Sequence, residues 1–97
     1  MIKGLPEPAA DSPTWPHVLR FAKVMEHKLA LNRHKGDREG WSSSDVFSLL
    51  DRLDEEVEEL NDSIGINSIP AAKVIVEAAD VANFAMMIAD HFSDDLG

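Results

Sequence analysis

Cysteine is absent from the sequence, which rules out a disulfide framework, a thiol nucleophile and any zinc site built on cysteine. Basic side chains are scarce. Nine Lys and Arg stand against eighteen Asp and Glu, a formal charge of -9. Such a field repels DNA and other polyanions unless a basic patch is segregated, and none is evident. No nucleic acid is therefore expected as a partner. An anionic nucleotide is still admissible where divalent cations stand between it and the protein. The N-terminus lacks a basic-then-apolar leader, and charges interrupt the longest apolar-rich stretch. Secretion and membrane binding are both disfavoured, and a cytoplasmic protein is expected, or one of the host cytoplasm if the chain is phage-encoded. No run alternates with period two, so strands have no signal. Internal repeats and low-complexity tracts are missing too.

What is present is helical periodicity. The 97 residues, 44% of them apolar, make one small domain over 14–97 behind an extended arm, 1–13, that carries Pro6, Pro8 and Pro13. A first helix is expected from about Thr14 to Arg33, capped by Ser12 or Thr14, with Pro16 in its first turn. Val18, Phe21, Met25 and Leu29 recur along it at helical spacing. The polar stretch from Lys35 to Gly40, with two glycines, reads as a loop. A second helix is expected from Ser42, where Ser42-x-x-Asp45 resembles a capping box with Asp in place of Glu. Val46, Leu50, Leu53, Val57, Leu60 and Ile64 give it an apolar stripe, and Gly65 and Asn67 end it. The third helix is expected from near Ser68-Ile69-Pro70 to about Phe92. Nearly every residue from Val74 to Ala89 is apolar, which predicts burial on most sides. The fold class is all-α: an antiparallel bundle of about three helices per chain, completed by oligomerisation because so short a chain buries little of its own surface.

The third helix carries the most informative feature. Between Val74 and Ala89 the only polar side chains are Glu77, Asp80 and Asn83, spaced three apart. Steps of three rotate about 300° around a helix, so these groups form a short, slowly drifting row. Two carboxylates in an apolar helix are costly to desolvate unless a cation or hydrogen-bond donors meet them. The second helix offers a complement in Glu55-Glu56-Val57-Glu58-Glu59. There Glu56 and Glu59 share one shoulder of the apolar stripe, while Glu55 and Glu58 point farther round. If the two helices pack antiparallel, Glu56/Glu59 and Glu77/Asp80 can converge. All-oxygen ligation of that kind suits Mg²⁺ or Mn²⁺. Two blander readings compete: a Glu-rich run is usually a solvated face, and Glu77 and Asp80 can form buried ion pairs with basic side chains of the first helix.

Taken together, Glu55-Glu56-x-x-Glu59 followed by Glu77-x-x-Asp80-Val81 resembles the signature of the MazG-like all-α nucleoside triphosphate pyrophosphohydrolases, over roughly residues 15 to 92. The resemblance implies that Glu56, Glu59, Glu77 and Asp80 hold Mg²⁺, and that Glu55 is an outer group or base positioning the attacking water. It implies cleavage between the α- and β-phosphates of a nucleoside triphosphate, with deoxynucleotides foremost, to give a monophosphate and pyrophosphate. It also implies a homodimer or homotetramer. The stretch Lys28-Leu29-x-x-Asn32-x-x-Lys35 looks like one in small MazG-like proteins, which makes Lys28, Asn32 and Lys35 candidates to touch substrate. Lys73, one turn before Glu77, and Asn83, one turn beyond Asp80, are further substrate-binding candidates. Asn83 has the alternative of bonding across a helix interface.

Among the remaining residues, Trp41 reads as a core plug or a base-stacking platform, and Trp15 as a packing residue beside Pro16. His27 and His34 read as surface groups, and Met25, Met86 and Met87 as core or subunit-interface filler. A di-iron carboxylate bundle would need Glu-x-x-His pairs, and the sequence has none. The stronger rival is a non-catalytic helical interaction module, or a degenerate relative of the family that keeps the fold without the activity.

Overall fold

The computed structural model describes residues 15–31, 41, 45–65 and 70–93. Three long helices run in order through them: α1 (Pro16–Leu31), α2 (Val46–Gly65) and α3 (Ala71–Ser93). No strand occurs among the described residues. The arm, 1–13, and the expected loop from Lys35 to Gly40 lie outside them, as do Ser12, Thr14, Asn32, Lys35 and Ser42.

Local chemistry sets the helix starts. Pro16 opens α1, where a missing N–H costs nothing, and the Trp15 carbonyl accepts from Leu19 N at 3.1 Å. At α2 the capping residue is Asp45 itself. Its Oδ1 accepts from Phe47 N at 3.3 Å, and its carbonyl accepts from Ser48 N and Leu49 N. The expected box had placed Asp45 inside the first turn, so α2 starts about one turn later than Ser42. A short carboxylate reaches the free N–H groups two residues on, which makes Asp a good cap in its own right. Before α3, Pro70 supplies a carbonyl to Lys73 N at 2.9 Å.

Both α1 and α2 pack on α3. Contacts fix the directions. Glu56 meets Glu77, while Arg52, one turn earlier on α2, lies over Phe84, two turns later on α3. On the other side Lys28 meets Asp80 and Met25 meets Asn83. Rising numbers on α3 therefore run against falling numbers on both neighbours, and both pairings are antiparallel.

The face of α2 turned toward α3 differs from the apolar stripe expected of it. Leu49, Glu56 and Ser63 are buried, each seven residues from the next, with Leu53 and Leu60 half-buried between them. Leu50, Val57 and Ile64, also seven apart, are exposed. The expected stripe therefore splits, because a single neighbouring helix covers only part of the circumference. α3 is likewise less enclosed than its composition predicts: Ile75 and Phe92 each remain about half exposed, at 48%. Trp15, expected to pack, is 73% exposed, and Val18 at the same end of α1 is exposed as well. Met25, Met86 and Met87 are half-buried, and His27 is on the surface.

What lies at the centre is mainly polar. Among the described residues Leu49 and Ala79 are the buried apolar ones, against Glu56, Ser63, Glu77 and Asn83. Ser63 is satisfied locally, donating from Oγ to the Leu60 carbonyl at 2.8 Å. At the far end of α3, Trp41 Nε1 donates to Asp90 Oδ2 at 3.0 Å, so Trp41 is a half-buried anchor with its polar handle satisfied. Among the described residues no helix is long and apolar enough to cross a membrane.

Candidate functional site

The central polar residues converge where α2 crosses α3. One carboxylate oxygen each from Glu56, Glu59 and Glu77 lies within 4.8 Å of the others. Glu56 stands in the middle of the inward face of α2, between Leu53 and Leu60, and not on a shoulder of it. Glu59 is one turn on and open to solvent, and Glu77 projects from the opposing helix with its side chain only 7% exposed. An exposed carboxylate beside two buried ones gives the cluster one face toward solvent.

Cations surround the cluster. The Arg52 guanidinium lies 5.2 Å from the centroid of the Phe84 ring, within cation–π range. From there Nη2 approaches Glu56 Oε1 at 3.8 Å and Nε meets Glu55 Oε2 at 3.2 Å. Lys73 pairs with Glu77 Oε1 one turn along α3. Lys28 crosses from α1 to place Nζ 3.5 Å from Asp80 Oδ2. The ion pair considered for Asp80 with the first helix is therefore present, while Glu77 takes its partner from its own helix.

These partners leave part of the polar surface unmet. Glu56 Oε2, Glu77 Oε2 and Asn83 Oδ1 are buried with no hydrogen-bond partner. A buried acceptor left unsatisfied costs about 1–3 kcal/mol, more when charged. The two orphaned carboxylate oxygens belong to opposing helices and to the same cluster, and oxygen-only donors of that kind match a hard divalent cation such as Mg²⁺. The residues present thus fit such an ion. Asp80 is one turn from Glu77 on the same row but is engaged with Lys28.

The electrostatics point the same way. Burial pushes the Glu56 carboxyl up to about 7, helped by its contact with Glu59 and by the charges of Asp80 and Glu77. Burial also raises Asp80, with Lys28 pulling against the shift. The Lys73 ammonium is raised by its bond to Glu77. A carboxyl raised in the folded state favours folding while it is protonated and loses that contribution as pH rises through its folded value. Without divalent cations, stability is therefore expected to fall between about pH 4.5 and pH 7. The Glu56 contribution is on the order of 3 kcal/mol, and urea titrations in EDTA across that window measure it. Stability that rises steadily over the same window would contradict the clustering.

Asn83 has a defined structural part. Its Nδ2 donates to the Met25 carbonyl of α1 at 3.1 Å, so the alternative of bonding across the helix interface is realised. Asn83→Asp would set an acceptor against that carbonyl and add a carboxyl to the row. It is expected to cost about 1–3 kcal/mol near neutral pH, read by urea unfolding, and an unchanged midpoint would argue against the contact. Of the remaining candidates, Glu55 is on the surface against Arg52, Lys73 borders the cluster, and Asn32 and Lys35 lie outside the described residues. Sequence reasoning missed Arg52. Its spacing of four from Glu56 was a usable signal, whereas its seat on Phe84 depends on the packing of two helices.

Comparison with known protein families, with curated proteins and with solved structures finds no match to this chain.

Proposed function

We propose that the chain is a divalent-cation-dependent nucleoside triphosphate pyrophosphohydrolase, splitting the α–β phosphate bond to release a monophosphate and pyrophosphate. The observation that carries the reading is the pair of buried, unpartnered carboxylate oxygens of Glu56 and Glu77, contributed by opposing helices to one cluster. The resemblance of the acidic motifs to those of the MazG-like family supports it.

In this reading Glu56, Glu59, Glu77 and Asp80 hold Mg²⁺, with Mn²⁺ as the natural substitute. The ion, when bound, acidifies water and offsets charge on the phosphate oxygens. The protein positions the reactants. Lys28 and Lys73 flank the carboxylates and, with Asn32 and Lys35, take the phosphates. A water oxygen attacks phosphorus as the α–β bridge breaks, and Glu55 receives the proton of that water from its solvent-facing place beside Arg52. Asn83 braces α1 against α3 behind the site, so that Lys28 and Asp80 stay in register.

The same reading includes a homodimer or homotetramer. Leu50, Val57 and Ile64 form an exposed apolar seam at seven-residue spacing on α2, the repeat by which helices pack lengthwise on one another. Equilibrium sedimentation is expected to give a multiple of the 10.7 kDa chain mass, and Val57→Glu to shift it toward the single chain. A chain that sediments as a monomer at all concentrations would remove this part.

The reaction is tested by incubating the protein with a panel of NTPs and dNTPs, deoxynucleotides first, with Mg²⁺ or with EDTA. Chromatography then identifies the products. Monophosphate and pyrophosphate formed only with metal would support the reading. Intact nucleotides throughout would favour an interaction module, which the exposed seam on α2 would serve equally well.

A further inference from the structure

The basic residues around the cluster are held in two different ways. Arg52 and Lys73 each reach a carboxylate one turn along their own helix, and each is more than half exposed. Lys28 reaches across from α1 to Asp80, and the pair is mostly buried, with side chains 19% and 18% exposed. Its Nζ–Oδ2 separation of 3.5 Å is long for a charge-assisted hydrogen bond, and the charge of Lys28 acts on Asp80 more strongly than its hydrogen bond does. Asp80 is one turn from Glu77, which puts the Lys28 ammonium at the margin of the carboxylate cluster. A divalent cation drawing on both Glu77 and Asp80 would meet that ammonium as a like charge at short range.

We propose that Lys28 is an exchangeable counter-cation, neutralising Asp80 until a divalent cation takes that carboxylate and then turning its ammonium to the phosphates of the nucleotide. This rests on the reading of the carboxylate cluster as a metal site. Metal and polyphosphate then bind in mutual support, because each favours the arrangement the other needs, and the coupling is reciprocal. Lysine suits the task. Its flexible stem carries a compact charge with three donors that can change partners without moving the helix.

Calorimetry with Mn²⁺ alone, and with imidodiphosphate in EDTA, tests the exchange. Lys28→Met is expected to bind Mn²⁺ about fivefold more tightly, since a competing cation has been removed. Asp80→Asn is expected to bind imidodiphosphate more tightly without metal, because Lys28 is released. Adding Lys28→Met is then expected to cost more imidodiphosphate affinity in the Asp80→Asn background than in the unaltered protein. Equal costs in both backgrounds, or Mn²⁺ affinity unchanged in Lys28→Met, would overturn the exchange. Lys28→Gln repeats each measurement with a side chain that keeps a polar head, and circular dichroism confirms that the helices are retained. An unaltered protein that binds no Mn²⁺ overturns the metal reading and the exchange together, whereas normal Mn²⁺ binding with equal costs overturns the exchange alone.

Discussion

Glu56→Gln is expected to make the protein more stable without metal and nearly inert with it. The change keeps the shape of a side chain that sits at the centre of the inward face of α2. It also removes a negative charge crowded by Glu59, Glu77 and Asp80, whose combined effect with burial holds the Glu56 carboxyl near 7. Urea unfolding in EDTA at pH 8 is expected to show a gain of about 1–2 kcal/mol. Metal-dependent hydrolysis is expected to fall about 10³-fold, the equivalent of roughly 4 kcal/mol of transition-state stabilisation. The opposite signs make the result informative. A core residue replaced by a near-isostere would lose stability and leave chemistry alone, and a solvated carboxylate would do neither. Full hydrolysis by Glu56→Gln would end the assignment of Glu56 as a ligand.

The second large effect is a metal-dependent rise in melting temperature. A ligand that binds only the folded state at a hundred times its dissociation constant stabilises by about 2.7 kcal/mol. In a domain of this size each kcal/mol moves the midpoint by about 4–8 °C, so saturating Mg²⁺ or Mn²⁺ is expected to raise it by about 10 °C or more. The expected cause is the pair of orphaned oxygens of Glu56 and Glu77, since both would gain a partner at once. Glu77→Gln is expected to lose most of the rise. It also frees Lys73, whose ammonium is raised by its bond to Glu77. Scanning calorimetry in Mg²⁺, Mn²⁺ and EDTA decides the point, and three superimposable curves would leave the cluster without a metal role.

The helices were readable because their signals are local. Pro16, the seven-residue apolar spacing on α2 and the apolar run of α3 each act within a turn or two. The row Glu77, Asp80 and Asn83 was readable for the same reason, as three polar groups in an apolar helix. Which way α2 turns was not readable. Its apolar side chains span a broader arc than one neighbour covers, so the stripe alone could not say that Glu56 faces inward while Leu50 and Val57 face out. The contacts of Lys28 with Asp80 and of Asn83 with Met25 join residues more than fifty positions apart. A periodic pattern holds no information on such a pairing, although the row and the basic residues named its participants. The start of α2 went astray over a single choice, since Asp45 is suited both to capping a helix and to sitting within its first turn.

The seven-residue spacing of Leu49, Glu56 and Ser63 makes the axial alignment of α2 on α3 a matter of charge. Sliding α2 by one heptad would still fill the interface with side chains of acceptable size. It would, however, bring Leu49 or Ser63 against Glu77 and strand Glu56 in an apolar setting. A single buried polar position is known to fix alignment in coiled coils at some cost in stability. Under the proposed metal reading Glu56 is placed to do so, since one cation would join it to Glu77, whereas without metal the two carboxylates repel each other. Glu56→Leu would give a tighter bundle with more than one permitted alignment, and the helices would lose the means of telling one from another.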